Sequence, residues 1–417
     1  MSDIKDIDKK IKEKSAKVFT ASEFKQIVRK GGRPTLDDVD VVTCGTFGVM
    51  SGTMAVFTIP VAGLTEISKT DTIKINGIEG SVGPCPNESL GVVDCIINGT
   101  AHRDHDYGGG HLFKDLVARV PVSVEATSKE GVFKKTLTLD DFAFARIIIT
   151  RGGFKNYTAF ANPSESTYTT IFSDTQGLAG NLKEASVSGC GEINPLENDH
   201  SSRFIRNGAT ILINGAPGTV MGPGTRSSEA KPNLSAFADM KGMDPHMMGG
   251  FRTSRGPECL TSLATAIPVV DQEALDAVSI LDEDAVLPIA DVHDRKPLFK
   301  GRYSQIWKGN NLDVVSDLDS CLHCGTCVAD ELCPLGASPS SGTEGNVLCM
   351  NCGLCVSTCV GGIFECDLGS IDYGGQSVPV KVRQSDRRRG EELCARVKRL
   401  VEEGKWNLGN GQWESTP

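Results

Sequence analysis

The chain has 417 residues, with 43 Lys and Arg against 53 Asp and Glu, which gives a net charge of −10 and a pI near 5.3. This acidic balance argues against nucleic acid or an anionic membrane as a partner. We expect a cytoplasmic protein, because the first residues are charged and no run of 18 apolar residues is present. Fifteen cysteines in such a protein indicate metal and redox chemistry.

The first 316 residues predict a large glycine-rich domain of the α/β or α+β class. Thr20 and Glu23 form a capping box that predicts a short amphipathic helix. A strand over 40–42 is expected to end in a glycine-rich turn at Cys44–Gly48. Strand-like stretches follow at 72–75, 91–97, 120–126, 133–139, 147–150 and 210–214. Gly is abundant, at 46 residues, which favours close backbone approaches over a helical bundle.

Three cysteines outside the cysteine-rich segment fall in predicted turns: Cys44, Cys85 and Cys190. Neighbouring glycines let a bulky inorganic group approach the backbone, so we hypothesise a third 4Fe–4S cluster with one open iron on these residues. Two alternatives stay open. Cys44 or Cys190 could instead be a thiolate that carries persulfide, or all three could be small buried side chains.

The loop 101–111 is rich in histidine and aspartate. The histidine spacing does not place two imidazoles on one helical face, so a mononuclear metal site is the weakest interpretation. His102 and His105 are candidate acid–base residues, and a solvated surface loop is the equal alternative.

Eight cysteines occur in two runs between residues 321 and 359. The second run has the bacterial ferredoxin spacing C-x2-C-x2-C-x3-C, and the first has the same start with a longer last gap, followed by Pro334. In such modules the remote fourth cysteine binds the other cluster. The spacing therefore assigns cluster one to Cys321, Cys324, Cys327 and Cys359, and cluster two to Cys349, Cys352, Cys355 and Cys333. A zinc ion needs four ligands in one tetrahedron, so two zinc sites would not require this swapped arrangement.

A strand over 378–382 and a helix over 386–403 follow this module and are too small to form a domain. We expect a large domain from residues 1–316 and 373–417, with a ferredoxin domain inserted at 317–372. Arg383, Ser385 and Arg387 precede or open the helix and are candidates for binding an anionic substrate. Arg151, Arg203, Arg206 and Arg226 are alternatives.

Several motifs outside the cysteine runs carry a family resemblance. They are Gly45–Gly48 with Met50 and Ser51, Asp106–Gly109, Asn156 with Tyr157, Asn194–Leu196 with Asn198 and Asp199, and Gly222–Thr225. In this order they resemble the homocysteine-biosynthesis family, whose members are aspartate-semialdehyde sulfurtransferases. With the ferredoxin module, the chain is most similar to the methanogenesis marker 16 metalloprotein group. The family pattern has a cysteine after the glycine–threonine–phenylalanine motif, where this chain has Met50 and Ser51, and a second one where the segment 127–133 has no thiol.

The resemblance implies an enzyme that converts a small anionic aldehyde, sulfide and two electrons from an external low-potential donor into a thiol. Two one-electron clusters match that demand. For a methanogen the expected reaction is sulfoacetaldehyde to coenzyme M, and the alternative is aspartate semialdehyde to homocysteine. A non-catalytic electron-transfer or iron–sulfur assembly subunit is a second class of function. Monomer and homodimer both stay open.

Overall fold

A computed structural model describes residues 3–83, 88–155, 157–308 and 312–408. Within these ranges the helices are α1 Ile4–Lys12, α2 Ala21–Arg29, α3 Gly109–Val117, α4 Pro195–Asn198, α5 Gln272–Val278, α6 Val328–Leu332, α7 Leu354–Thr358 and α8 Arg387–Glu402. None of the described helices is both long and apolar enough to cross a membrane.

The strands, in chain order, are β1 Val18–Thr20, β2 Val41–Val49, β3 Thr53–Pro60, β4 Thr70–Ile75, β5 Ile78–Val82, β6 Val92–Asn98, β7 Val122–Ser128, β8 Gly131–Leu137, β9 Phe144–Gly152, β10 Ala159–Ala161, β11 Ala185–Val187, β12 Thr210–Ile213, β13 Ala216–Pro223, β14 Leu234–Asp239, β15 Gly249–Thr253, β16 Gly256–Pro268, β17 Val286–Asp291, β18 Pro297–Arg302, β19 Val315–Ser316, β20 Phe364–Glu365, β21 Ser370–Tyr373 and β22 Gln376–Arg383.

A 14-stranded mixed sheet forms the main body, in the order β1-β2-β16-β12-β13-β14-β9-β3-β6-β5-β4-β7-β8, with β15 paired to β16. Most pairs are antiparallel, and β1 runs parallel to β2. Alternating side chains of β3 and β6 enter the largest hydrophobic cluster, which also contains residues from α2 and α3. The fold is therefore mixed α/β with one dominant sheet.

A second sheet has six strands in the order β18-β17-β10-β11-β22-β21. Its interior strand β22 lies parallel to β11, although 189 or more residues separate them in the chain. The helix that follows, α8, packs on β2 and β16 of the large sheet. The segment after the cysteine runs thus contributes to the core of the main body.

The cysteine-rich segment leaves this second sheet after β18 and returns to it at β21. Its ends are joined by the antiparallel pair β19–β20, with Val315 opposite Glu365 and Ser316 opposite Phe364. The segment between them has its own small apolar cluster, built on Val314, Ala329, Cys355, Ile363 and Phe364. This arrangement is that of a small inserted domain.

The glycine-rich segment Cys44–Gly48 is not a turn, as the sequence predicted, but the middle of strand β2. Its glycines serve a close approach between elements. A Cβ added at Gly45 would lie 2.5 Å from the carbonyl oxygen of Gly390 in α8, and one at Gly48 would lie 2.6 Å from Ser385 Oγ. Glycine inside a strand often marks such an approach by another part of the backbone.

Candidate functional site

The four cysteines that the spacing assigns to cluster one line a single cavity. This cavity of about 450 Å³ is bounded by Cys321, Cys324, Cys327 and Cys359, with Leu318, Leu322 and Ile363 among its apolar walls. His323 has a left-handed backbone, with φ of 47°, and its N–H lies 3.4 Å from Cys321 Sγ. The backbone therefore wraps around the sulfurs and presents a donor to one of them.

The second set, Cys333, Cys349, Cys352 and Cys355, is also brought together. Burial raises the pKa values of Cys349, Cys352 and Cys355, and the nearby Cys333 also raises each of them. Burial, together with the smaller effect of the nearby Cys349 and Cys333, raises the pKa of Cys355 to about 12. Asn351, with φ of 52°, repeats the local geometry of His323, and its N–H lies 3.4 Å from Cys349 Sγ. The two halves of the module thus have the same local fold.

These observations test whether the residues fit two iron–sulfur clusters. Each set supplies four sulfur atoms, and backbone N–H groups point at a sulfur in both sets, including that of Ala337 at 3.3 Å from Cys333 Sγ. Thiolate ligands with hydrogen bonds to sulfur are what such clusters require. The residues fit the group. Among the described residues, no three His, Cys, Asp or Glu side chains converge in the way that a single bound metal ion needs.

The two cysteine sets differ in their surroundings. Cys324 of the first set is exposed, whereas Cys333, Cys352 and Cys355 of the second are each 8% exposed. The second set also touches the main body: the Arg383 N–H donates to the Cys352 carbonyl oxygen at 2.9 Å. Cys352 packs in an apolar cluster that includes Phe47 of β2. The first set is therefore the outer one and the second the inner one.

A larger cavity, of about 550 Å³, lies where the main sheet meets the six-stranded sheet. Its walls include Met50 and Ser51, which directly follow β2, and apolar side chains such as Phe160. Four cationic side chains line it: Arg151, Arg226, Lys231 and Arg295. No Asp or Glu is among the described residues that line it. We call this the cationic cavity.

The cationic side chains of the cavity lie close enough together to affect one another's ionisation. Burial lowers the pKa of Lys231, and the nearby Arg151 lowers it further. Lys231 also donates to Thr158 Oγ1 at 2.5 Å, which fixes the ammonium group in place. An anion would relieve the repulsion between these cations, so the cavity is suited to a negatively charged small molecule.

The cationic cavity is close to the inner cysteines. Gln384 lines the cavity, and the preceding residue, Arg383, is hydrogen-bonded through its N–H to Cys352. Val49, another lining residue, donates its N–H to the Gln384 carbonyl oxygen at 3.0 Å. Arg383, the last residue of β22, and its neighbour Gln384 therefore connect the inner cysteine set to the cavity wall.

The basic residues predicted to bind the substrate lie elsewhere. Arg383 is fully buried, donates to the carbonyl oxygens of Ile306 and Asp367 at 2.8 and 2.9 Å, and stacks over Trp307. Arg387 is 7% exposed and is paired with Glu192 and Asp282. Ser385 Oγ accepts the Gly189 N–H at 2.6 Å. The guanidinium groups of Arg383 and Arg387 are occupied by protein carbonyl and carboxylate oxygens, so this geometry does not favour their contact with a substrate. Substrate binding by these residues stays a prediction.

Cys44 and Cys190 lie in the main core. Both are 0% exposed, and burial raises the pKa of Cys44 to about 12 and that of Cys190 to about 11. Cys190 Sγ donates to the carbonyl oxygens of Phe47 and Asp386 at 3.6 and 3.7 Å. Cys85 lies outside the described residues. The burial of the two described thiols favours packing over a reactive role.

His102 and His105 are exposed and do not line the cationic cavity. His102 Nδ1 lies 3.2 Å from the Thr100 carbonyl oxygen. Of the alternative arginines, Arg151 and Arg226 line the cavity, whereas Arg203 is paired with Asp271.

The sequence reasoning missed Lys231, Arg295 and the buried Glu258 as cavity-associated residues. The motif residues Met50, Ser51 and Tyr157 and the candidate arginines Arg151 and Arg226 do line the cavity, and they are the sequence signals that locate it.

The fold and these two sites define a class: a mixed α/β protein with a cationic cavity beside an inserted module that has two four-cysteine sites. The chain matches, over residues 16–408, the family described as "homocysteine biosynthesis enzyme, sulfur-incorporation", and it belongs to that family.

Similar proteins are found in methanogens. An uncharacterized protein of Methanothermobacter thermautotrophicus is 43% identical over 410 residues, covering 97% of this chain and 94% of that protein. An uncharacterized protein of Methanocaldococcus jannaschii is 38% identical over 404 residues, covering 95% and 100%. The L-aspartate semialdehyde sulfurtransferase of the same organism is 31% identical over 331 residues, covering 74% of this chain and 63% of the relative. No solved structure matches the chain.

Proposed function

We propose that this protein catalyses reductive sulfur incorporation, in which a small anionic aldehyde, hydrosulfide, two electrons and three protons yield a thiol and water. The reaction we propose is the conversion of sulfoacetaldehyde to coenzyme M, in the cytoplasm. The family supports a sulfur-incorporating enzyme. The observation that carries the proposal is the cationic cavity beside the inner cysteine set.

Binding of the substrate is assigned to the four cationic side chains. Arg151 and Arg226 supply planar guanidinium groups, which bind carboxylate or sulfonate oxygens through paired hydrogen bonds. Lys231 and Arg295 complete the positive lining, and the apolar wall at Phe160 excludes water from the rest of the substrate. These contacts fix the anionic end of the aldehyde and thereby hold its carbonyl carbon in place.

The two cysteine sets are proposed to hold one 4Fe–4S cluster each: Cys321, Cys324, Cys327 and Cys359, and Cys333, Cys349, Cys352 and Cys355. When bound, the clusters supply single electrons at low potential. The exposure of Cys324 suits an external donor protein, and the burial of the inner set beside Arg383 and Gln384 suits delivery to the cavity.

An alternative substrate is aspartate semialdehyde, which would give homocysteine. The name of the relative that is 31% identical contains this substrate. That aldehyde carries an ammonium group besides its carboxylate. The described lining of the cationic cavity offers four cations and no carboxylate to an ammonium group. The lining therefore favours an aldehyde with an anionic group and without an amine.

The decisive experiment incubates anaerobically purified protein with sulfide, a low-potential reductant and either aldehyde, and identifies thiols by mass spectrometry. We expect coenzyme M from sulfoacetaldehyde. Arg151→Gln and Arg226→Gln should each raise KM roughly tenfold to a hundredfold, since a charge-assisted hydrogen bond contributes about 1.5–3 kcal/mol. Arg203→Gln, which changes an arginine outside the cavity, is the matched control. No thiol from either aldehyde would refute the reaction class and leave the electron-transfer or assembly role.

Iron content tests the third cluster proposed on Cys44, Cys85 and Cys190. About eight irons per chain correspond to the two cysteine-run clusters, and about twelve to three clusters. If a third cluster is present, Cys44→Ser and Cys190→Ser should each remove about four irons and abolish activity. If one of these thiols carries persulfide, only that variant should be inactive, with about eight irons in both. Full activity in both variants would assign the residues to packing.

A further inference from the structure

A buried glutamate lies directly behind the wall of the cationic cavity. Strand β16 runs antiparallel to β2, with Leu260 opposite Val49, and the Met50 N–H donates to the Cys259 carbonyl oxygen at 2.8 Å. Continuing this register by one residue places Glu258 opposite Ser51. Ser51 lines the cavity, and its hydroxyl lies close enough to the Glu258 carboxyl to lower the pKa of that carboxyl.

The carboxyl of Glu258 is unusual for its position. It is 4% exposed, and its Oε2 atom has no hydrogen-bond partner among the described residues. The charged or titratable groups that act on it are Arg151, which lines the cavity, and the adjacent thiol of Cys259. A buried carboxyl with one unpartnered oxygen serves packing poorly, since an apolar side chain would fill the same space at lower cost.

The protonation state of Glu258 follows from its burial. Burial raises the pKa of this carboxyl to about 7, while the nearby Ser51 hydroxyl and the positive charge of Arg151 limit the rise. An exposed glutamate would be fully ionised at neutral pH, but this one keeps a proton in a substantial fraction of molecules. The group is thus matched to proton transfer near neutral pH.

We propose that Ser51 and Glu258 form a proton relay to the carbonyl oxygen of the aldehyde bound in the cationic cavity. This inference rests on the proposed function and assigns its first step. Hydrosulfide donates an electron pair to the carbonyl carbon, so a C–S bond forms and the C=O π bond breaks. The carbonyl oxygen takes the proton of Ser51, and Ser51 takes the proton of Glu258.

The product of this step is a carbon that bears one hydroxyl and one thiol, with no change in electron count. Glu258 is left as a carboxylate facing Arg151, which stabilises the new charge. Water returns the proton in the next cycle. Ser51 touches the substrate and is the catalytic residue, whereas Glu258 acts through it and is a positioning residue.

The pH profile of the loaded enzyme tests the relay. In the wild type, kcat/KM should fall as pH rises through about 7, because only the protonated carboxyl can donate. Glu258→Gln should lower kcat about a hundredfold at neutral pH, remove this alkaline fall and leave KM for the aldehyde within a few-fold. Glu258→Asp should restore part of the activity. Ser51→Ala should match Glu258→Gln, and the double variant should be no worse than either single one.

The matched control is Glu79→Gln, which changes an exposed glutamate on another strand and should leave the profile unchanged. An alkaline fall that persists in Glu258→Gln would overturn the relay. So would a full additive loss in the double variant.

A second readout needs no turnover. Infrared difference spectra of the wild type should show a protonated carboxyl that titrates between about pH 5 and pH 8 and is missing from Glu258→Gln. Absence of this signal overturns the relay even if thiol is formed. If the signal is present but neither aldehyde yields a thiol, it is the proposed function that fails.

Discussion

Replacing Arg387 distinguishes between a substrate-binding role and a structural role for this arginine. It stands at the start of α8, and its guanidinium contacts Asp282 and, at 3.0 Å, Glu192. Both carboxylates are buried, at 2% and 1% exposed. Arg29 is the second cation at this site and also binds Glu192. Replacing Arg387 by Gln leaves two buried carboxylates with one cation between them.

The expected loss can be worked from this geometry. Removing one partner of a buried ion pair typically costs roughly 3–5 kcal/mol, because the remaining charge is left desolvated. The neighbouring Arg388 provides a matched control, since its side chain is 48% exposed and pairs with Asp313 at the surface. Arg388→Gln should cost about 0–1 kcal/mol. The two variants make the same chemical change one residue apart.

Urea unfolding monitored by circular dichroism, under anaerobic conditions and with iron content recorded, measures both variants. In Arg387→Gln the pKa values of Asp282 and Glu192 should lie above their unfolded values, because their counter-charge is gone. A carboxyl with a raised folded pKa loses its contribution to stability as pH rises, so the deficit should be smaller near pH 5 than near pH 8. Stability equal to that of Arg388→Gln, together with a raised KM for the aldehyde, would refute this reasoning and restore the substrate-binding role.

Three further outcomes follow from the contacts described. Cys352→Ser should lower iron by about four per chain while the circular dichroism of the main body persists, and Cys366→Ser, outside both cysteine sets, should keep all its iron. Gly45→Ala should destabilise by about 1–3 kcal/mol because its Cβ would meet a carbonyl oxygen of α8 at 2.5 Å, whereas Gly242→Ala meets nothing closer than 3.6 Å and should be neutral in urea unfolding. Glu258→Gln should gain stability relative to the wild type, by up to roughly 3 kcal/mol, as pH rises from about 4.5 to about 7. The reason is that the raised pKa of Glu258 makes the wild type lose stability across this pH range. Free energies of unfolding that change with pH in parallel for the two proteins would contradict this.

The sequence predicts the inserted module well because its signal is local. Cysteines at two-residue spacing must act together, and the repeated backbone geometry at His323 and Asn351 follows from the same short motif. The sequence also predicts the swap of the fourth cysteine between the two sets, because the ferredoxin pattern includes it.

The cationic cavity could not be predicted in this way. Its cations come from positions 151, 226, 231 and 295, in segments with no common motif, and only folding brings them together. The basic run at 383–389 is more conspicuous, yet Arg383 and Arg387 are buried against partners that lie 16 to 195 residues away in the chain. The predicted turn at Cys44–Gly48 is part of strand β2 for the same reason, since the approach of α8 that requires Gly45 has no local sequence signal.

The position of β22 has a consequence for how the protein is made. This interior strand of the six-stranded sheet, and the helix α8 that covers β2, are translated after the cysteine-rich segment. During translation, the six-stranded sheet therefore has an open edge at β11, and β2 of the main body has an uncovered apolar face, until β22 and α8 have been synthesised. The proposed iron–sulfur module can therefore assemble before the rest of the molecule closes.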